Sequence, residues 1–292
     1  MRALLASYID VAGVVTNPDR PAGRGMDLRP SPVKEVAVEA GVEVKQPERA
    51  RDPELAAWLR TTGAEVATVV AYGKILPGDL LEIPRLGFVN VHFSLLPAYR
   101  GAAPVQRALI DGVSETGVSI MVLTEGMDEG PVLATRSLAI GEDDSAGAVG
   151  DRLAQIGADL LVEILPSYAD GSLQPVEQDH AAATYAPKIS PEDARIDWNA
   201  SATEIRNLVR GCNPVPGAWT VLDGRRIKVH RVRPSREVPG LAPGAAHVAE
   251  SLFAGTRDVA LELLDVQMEG KRRMTGSELA HGLRLAADAR FG

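Results

Sequence analysis

Of the 292 residues only one, Cys212, is a cysteine. That excludes an intramolecular disulfide and any multi-cysteine zinc or iron–sulfur centre, and favours a reducing compartment, so a cytoplasmic location is expected. Histidines number five, His92, His180, His230, His247 and His281, and none falls into a metal-ligand spacing such as H-E-x-x-H, so no metal is expected. Long apolar runs are missing: the stretch from Val66 to Tyr72 falls far short of the ~20 residues of a membrane span. The opening MRALLASYID meets Asp10 before a secretory core could form, so a soluble, unexported chain is expected. Internal repeats and low-complexity tracts are absent too. What is present is 45% hydrophobic and 24% charged residues, enough for one large core or two ordinary ones and incompatible with global disorder.

The net charge of -8 is unevenly spread. Residues 1–190 hold 16 basic and 26 acidic side chains, and residues 191–292 hold 15 and 13. A mildly basic tail on an acidic body weakly suggests a polyanion-facing C-terminal part, and is equally what a neutral domain shows by chance.

The first two thirds alternate β-branched runs with helical stretches, the pattern of an α/β fold with a mostly parallel sheet covered on both faces. Strands are predicted at Val11 to Thr16, Val42 to Lys45, Val66 to Ala71, Phe88 to His92 and Val118 to Leu123. Ser31 and Pro32 open a helix with Val33, Val36, Ala37 and Ala40 on one face; Pro53 to Arg60, Pro104 to Ile110 and Val149 to Leu165 are predicted helices as well. From Gln174 to Ile189 the periodicity fades, which marks a connection between separately folding units. Three parts are therefore expected: a domain over 1–173, a linker over 174–190 and a second, smaller domain over 191–292. The last begins with a Ser201/Glu204 capping box, then changes to short strands at Ala218 to Leu222 and Arg226 to Val232 around an Asp223-Gly224 turn. Runs at Ala246 to Ala249 and Val259 to Leu264 and a second capping box at Thr275/Glu278 follow, which together suggest a small β-barrel.

The chemistry concentrates in Val89-Asn90-Val91-His92-Phe93-Ser94-Leu95-Leu96-Pro97. It begins as a buried strand and leaves the sheet at its carboxyl end, the edge where open α/β sheets place ligands. Asn90 and His92 are two apart and share one face, so an amide donor and a titratable imidazole meet there. From the residues alone, a histidine satisfied at a strand end is the competing reading. Asp128, in Met127-Asp128-Glu129-Gly130, reads as a turn residue on the same terms, and Ser94 to Pro97 as a strand exit. Residues 17–30, with three prolines, two glycines and three arginines, read as an exposed loop. Cys212 reads as a small residue of the second domain.

Asn90-x-His92 with Ser94-Leu95-Leu96-Pro97 and Arg100-Gly101, then Thr116-Gly117-Val118-Ser119-Ile120-Met121 and Met127-Asp128-Glu129-Gly130, resembles the signature of the folate-dependent formyltransferases. Thr16 to Gly25, Ser31 to Lys34, Gly101 to Arg107 and Thr184 to Ile189 resemble, within them, the branch that acts on methionyl-tRNA. The resemblance covers nearly the whole chain. It implies a Rossmann-like formyltransferase domain followed by an OB-fold-like barrel, and transfer of the formyl group of the co-substrate 10-formyltetrahydrofolate to the α-amino group of initiator methionyl-tRNA.

That reaction creates a tetrahedral centre with a partial oxyanion, while the amine loses a proton and the folate nitrogen gains one. The resemblance makes Asn90 the oxyanion donor, His92 the acid–base group and Asp128 the carboxylate that orients the imidazole and stabilises its charged form. It makes Ser94, Leu95, Leu96 and Pro97 the floor of the folate pocket. Arg20, Arg24 and Arg29 of the 17–30 loop become contacts for the tRNA acceptor end, Arg24 foremost. Arg226, Lys228, Lys271 and Arg272 become contacts to its backbone, although a solvated strand face is what such charges more simply mean. No nucleophilic side chain is called for, no membrane is expected as a partner, and a monomer is expected.

Arg2 to Ser7 resembles the end of the family's first helix, so the first strand, its Gly-Thr-Pro-type loop and most of that helix are expected to be missing, a mis-called start codon being the simplest cause. The missing strand is expected between Val11 to Thr16 and Phe88 to His92, which would leave ladder groups unpaired on both neighbours, at about 1–3 kcal/mol for each one buried. Two alternatives remain open on the sequence: another 10-formyltetrahydrofolate-using transferase or hydrolase, and a truncated non-catalytic tRNA-binding paralogue.

Overall fold

The computed structural model describes residues 1–22, 27–282 and 289–292. In chain order its elements are α1 (Arg2–Leu5), β1 (Val14–Val15), β2 (Arg20–Ala22), β3 (Asp27–Arg29), α2 (Pro32–Glu39), β4 (Val44–Lys45), α3 (Pro53–Thr62), β5 (Ala67–Val69), α4 (Gly78–Leu81), β6 (Phe88–His92), α5 (Pro104–Asp111), β7 (Glu115–Val122), β8 (Val132–Ala139) and α6 (Ala146–Ala169). There follow α7 (Ala202–Cys212), β9 (Ala218–Leu222), β10 (Arg225–Ser235), β11 (Ala246–Val248), β12 (Leu252–Ala254), β13 (Ala260–Met268), β14 (Met274–Thr275) and α8 (Gly276–Gly282). The chain divides into two compact units, one of residues 1–100, 117–138 and 152–185, the other of residues 101–116, 139–151 and 186–292.

In the first unit β1 and β4 pair in parallel, and β5-β6-β7-β8 form a four-stranded sheet in that order. β5 and β6 are parallel, with Val69 opposite Asn90, whereas β7 runs antiparallel to β6, with Ser119 opposite His92. The run around Val118 is buried on both faces, and such a pattern carries no mark of direction. Helices cover both faces of β6. Leu55 and Leu59 of α3 and Leu80 of α4 pack with Phe88 on one side. On the other, α6 approaches so closely that a Cβ at Gly157 would come within 2.6 Å of Val91. Local signals place the helices as read: Ser31 accepts from the Lys34 amide ahead of Pro32, and Asp52 from the Glu54 amide ahead of Pro53.

Three expectations are corrected here. The strand Phe88 to His92 is paired on both sides, by β5 and by β7, so its ladder groups are not open; the edges of this sheet are β5 and β8. Residues 17–30 do not form a mere loop: β2 and β3 make an antiparallel pair with Arg20 opposite Arg29, and Asp19 ties its base to Lys34 at 2.6 Å and Gln46 at 2.8 Å. Prolines and glycines hid that pair from a periodicity reading. The stretch from Gln174 onward is bonded into the first unit: the Val176 and Val132 backbones exchange two hydrogen bonds at 2.8 Å, and the Arg100 amide donates to Thr184 at 2.9 Å.

The second unit is built on an antiparallel sheet ordered β11-β12-β13-β10-β9, with β14 added on β13. Register shifts in β10 around Arg231 bend it. The last residues close the curl: Phe291 and Ala289 bond to Gly244 and Ala246 beside β11, while Gly292 exchanges two bonds with Val221 of β9. Both free edges of the sheet are thereby tied together. α7 starts at the capping box read from the sequence, Ser201 with Glu204, and buries Ile205, Val209 and Cys212 against Ile227, Val229, Leu261 and Leu263. Burial pushes the Cys212 thiol up to about 11, which makes it an unreactive core residue. Thr275 and Glu278 cap each other likewise at the start of α8. Among the described residues no helix is long and apolar enough to cross a membrane.

Candidate active site

β6 delivers its two polar side chains to one face because its partners Val89 and Val91 are buried on the other. His92 is 5% exposed, and its two ring nitrogens meet different groups. Nδ1 lies 3.6 Å from Oδ2 of Asp128, and Nε2 is 2.9 Å from the backbone carbonyl of Tyr99. A carbonyl oxygen only accepts, so Nε2 is a donor in this arrangement. Asn90, one turn of the pleat earlier, is half-buried, and no described residue bonds its carboxamide.

The loop after β6 is shaped by hydrogen bonds rather than by packing alone. Ser119 of β7, fully buried, donates to the Ser94 carbonyl at 2.7 Å and accepts from the Leu96 amide at 3.0 Å. Thr184 accepts from the Tyr99 amide at 2.9 Å. These bonds hold Tyr99 at a left-handed φ of +59°, which turns its carbonyl onto His92. Asp128 is also left-handed, at +50°. Two residues on, Gly130 runs so close to β7 that any Cβ there would collide with the Val122 carbonyl. The Met-Asp-Glu-Gly run is therefore a turn, as its composition suggests, and one that brings a carboxylate to the imidazole.

Of the four residues expected to floor a folate pocket, Leu95, Leu96 and Pro97 are partly exposed beside the site. Ser94 is a correction: it is completely buried and its hydroxyl donates to the Ala98 carbonyl at 2.6 Å, so it holds the loop and does not reach a ligand. The loop leaving β5 at the same end of the sheet adds exposed Val70 and Ile75, apolar surface that the sequence reading passed over.

Of the expected tRNA contacts, Arg20 and Arg29 are exposed and face each other across β2 and β3; two like charges opposite one another are repulsive until an anion joins them. Arg24 lies outside the described residues. In the second unit Lys271 and Arg272 are exposed, with Arg272 3.5 Å from Glu278. Arg226 stacks its guanidinium 3.9 Å from the Trp219 ring centre. Lys228 is a correction: its ammonium is turned down onto the Pro216 carbonyl at 2.8 Å and is half-buried. Among the described residues no group of histidines, cysteines and carboxylates could hold a metal.

The sequence reading gave no role to Tyr99, Arg100, Ser119, Gln178 or Thr184. Arg100, Ser119 and Thr184 stand inside the quoted motifs, whereas Gln178 lies in the stretch read as a linker, where polar composition conceals its burial.

An amide and an imidazole–carboxylate pair at the mouth of an α/β sheet, followed by a closed antiparallel barrel, define an enzyme of the formyl-transfer class. Family models for the formyl transferase and formyl transferase C-terminal domains match residues 3–165 and 188–284. The methionyl-tRNA formyltransferase of Streptomyces griseus is 46% identical over 97% of this chain and 92% of its own length; that of Solibacter usitatus is 42% identical over 100% and 94%. The chain belongs to the methionyl-tRNA formyltransferase family. Solved structures agree on the fold: WlaRD, a sugar 3N-formyl transferase, superposes with a TM-score of 0.66 at 15% identity over 93% of both chains. HypX of Aquifex aeolicus in complex with tetrahydrofolic acid superposes at 0.65 and 17% identity over 91% of this chain and 46% of that one.

Proposed function

We propose that this enzyme transfers the formyl group of 10-formyltetrahydrofolate to the α-amino group of initiator methionyl-tRNA, giving N-formylmethionyl-tRNA for translation initiation. The observation that carries the chemistry is the imidazole of His92 facing Asp128 at 3.6 Å beside the unengaged amide of Asn90. The acceptor follows from the family to which the chain belongs.

10-Formyltetrahydrofolate supplies an activated formyl carbon, held between the carboxamide of Asn90 and the apolar walls of Leu95, Leu96 and Pro97. The neutral amine of methionine attacks that carbon. The new C–N bond forms, the bond to the folate nitrogen breaks, the amine gives up one proton and the folate nitrogen takes one, so no further reactant is required. Asn90 donates an N–H to the oxygen as negative charge develops there, a term of roughly 3 kcal/mol for a fixed donor in a dry site. His92 moves the proton, and Asp128 stabilises the ring while it carries charge. Passing a proton through Nε2 requires the ring to release the Tyr99 carbonyl, so the resting bond at 2.9 Å holds the imidazole until substrate replaces it.

The first domain, with the stretch from Gln174 to Tyr185 bonded into it, carries this chemistry, and residues 191–292 hold the RNA. Arg20, Arg24 and Arg29 meet the acceptor end, and Arg226, Lys271 and Arg272 meet backbone phosphates. The enzyme works in the cytoplasm as a monomer.

The test is an acceptor comparison with purified protein and 10-formyltetrahydrofolate. Initiator methionyl-tRNA is expected to be formylated in preference to elongator methionyl-tRNA, to a nucleotide-linked amino sugar and to water. Formate release without formylmethionine would contradict the proposal.

A further inference from the structure

Gln178 is buried, and its carboxamide spans two parts of the first unit. Its Oε1 accepts from Nε and Nη2 of Arg100 at 3.1 and 2.8 Å. Its Nε2 donates to the backbone carbonyls of Asp128 at 3.0 Å and Gly130 at 2.6 Å. A guanidinium only donates and a carbonyl only accepts, so this amide has one permitted orientation. Arg100 is itself 2% exposed, and its Nη2 also reaches Nδ1 of His180 at 3.2 Å. The arginine is thus a fixed anchor, and the glutamine is the link from it to the turn that holds Asp128.

That turn needs a link. Asp128 sits at a φ of +50°, a conformation that a side-chain-bearing residue keeps only where its surroundings over-determine it. The carbonyl of the left-handed residue itself and that of Gly130, two residues on, are both held by the one amide. Glutamate in that place could accept from Arg100 but could not donate to either carbonyl; asparagine is one methylene shorter. An amide of glutamine length is what the gap requires.

From this geometry we propose that Gln178 is a positioning residue for formyl transfer: by gripping the Asp128 and Gly130 carbonyls it sets where the Asp128 carboxylate meets Nδ1 of His92. The inference rests on reading Asp128 as the charge partner of His92.

The test is a double-mutant cycle with the full chain. Gln178→Glu keeps the acceptor for Arg100 and removes the two donors; Gln178→Ala removes both, and each is combined with Asp128→Asn. In the native background kcat is expected to fall about tenfold or more, with KM for folate and tRNA within about twofold. The acid limb of the pH–rate profile is expected to move, and in the Asp128→Asn background the further loss is expected to shrink below about twofold. A loss of the same size in both backgrounds, or an unchanged kcat in the native background, would overturn the proposal. Wild-type transfer to methionyl-tRNA is measured alongside: if it is absent, the functional reading fails; if it is present while the glutamine variants behave as wild type, only the positioning role fails.

Discussion

Nδ1 of His92 lies 3.6 Å from Oδ2 of Asp128 while Nε2 of the same ring meets the Tyr99 carbonyl at 2.9 Å. One buried imidazole is thus bonded at one edge by a carbonyl from the loop after β6 and faced at the other by a carboxylate from the turn after β7. The histidine's position is defined by backbone that two left-handed residues, Tyr99 and Asp128, bring into range.

Asparagine in place of Asp128 keeps the bulk and removes the charge. Asp128→Asn is expected to lower kcat by about 10- to 100-fold, part of the 10²–10⁴ that a positioned acid–base group contributes, with KM for both substrates nearly unchanged. Steady-state kinetics check this; a change confined to KM would contradict the assigned role.

Asn90 makes its contribution only as charge develops. Asn90→Ala is therefore expected to lower kcat and kcat/KM together, by about 10²–10³, and to leave folate binding measured by fluorescence titration almost as it was. A loss of folate affinity with kcat preserved would mark Asn90 as a ground-state contact instead.

Much of this was legible because it is written locally. The alternation Val89-Asn90-Val91-His92 announces its two faces, and the Ser31, Ser201 and Thr275 caps fix their helices. Linkages made at long range were not. Nothing around Gln178 signals that it reaches 50 residues back to Asp128, and polar residues in a proline-rich stretch read as solvent-facing until their partners are seen. The direction of β7 and the closure of the barrel by residues 289–292 are likewise pairings that no local pattern encodes. Charged residues misled in the opposite way: Lys228 alternates outward as read, yet its long stem folds back onto Pro216.

Ser119 holds the loop that carries Tyr99. Removing a fully buried hydroxyl that bonds both the Ser94 carbonyl and the Leu96 amide leaves two backbone groups unpaired. Ser119→Ala is expected to cost about 1–3 kcal/mol, seen as a lower thermal midpoint. An unchanged midpoint would show that the loop is held by other means.

Burial holds the His230 imidazole below its ordinary range, against a smaller opposing effect of its bond to Gln267. The folded state then disfavours the charged ring, so its contribution to stability is complete above about pH 6.5 and is lost as pH falls through the lower folded value. As pH falls below about 6.5 the melting temperature of the wild type is expected to drop, and His230→Asn is expected to flatten that drop. An equally steep decline in the variant would assign the effect to other groups.

The most direct measurement is the single-turnover rate of formyl transfer by His92→Ala, with the enzyme saturating over methionyl-tRNA and tRNA affinity measured in parallel. The account predicts a rate about 10²–10⁴ below wild type with affinity within a few fold. A normal rate in the variant, at normal affinity, would contradict it.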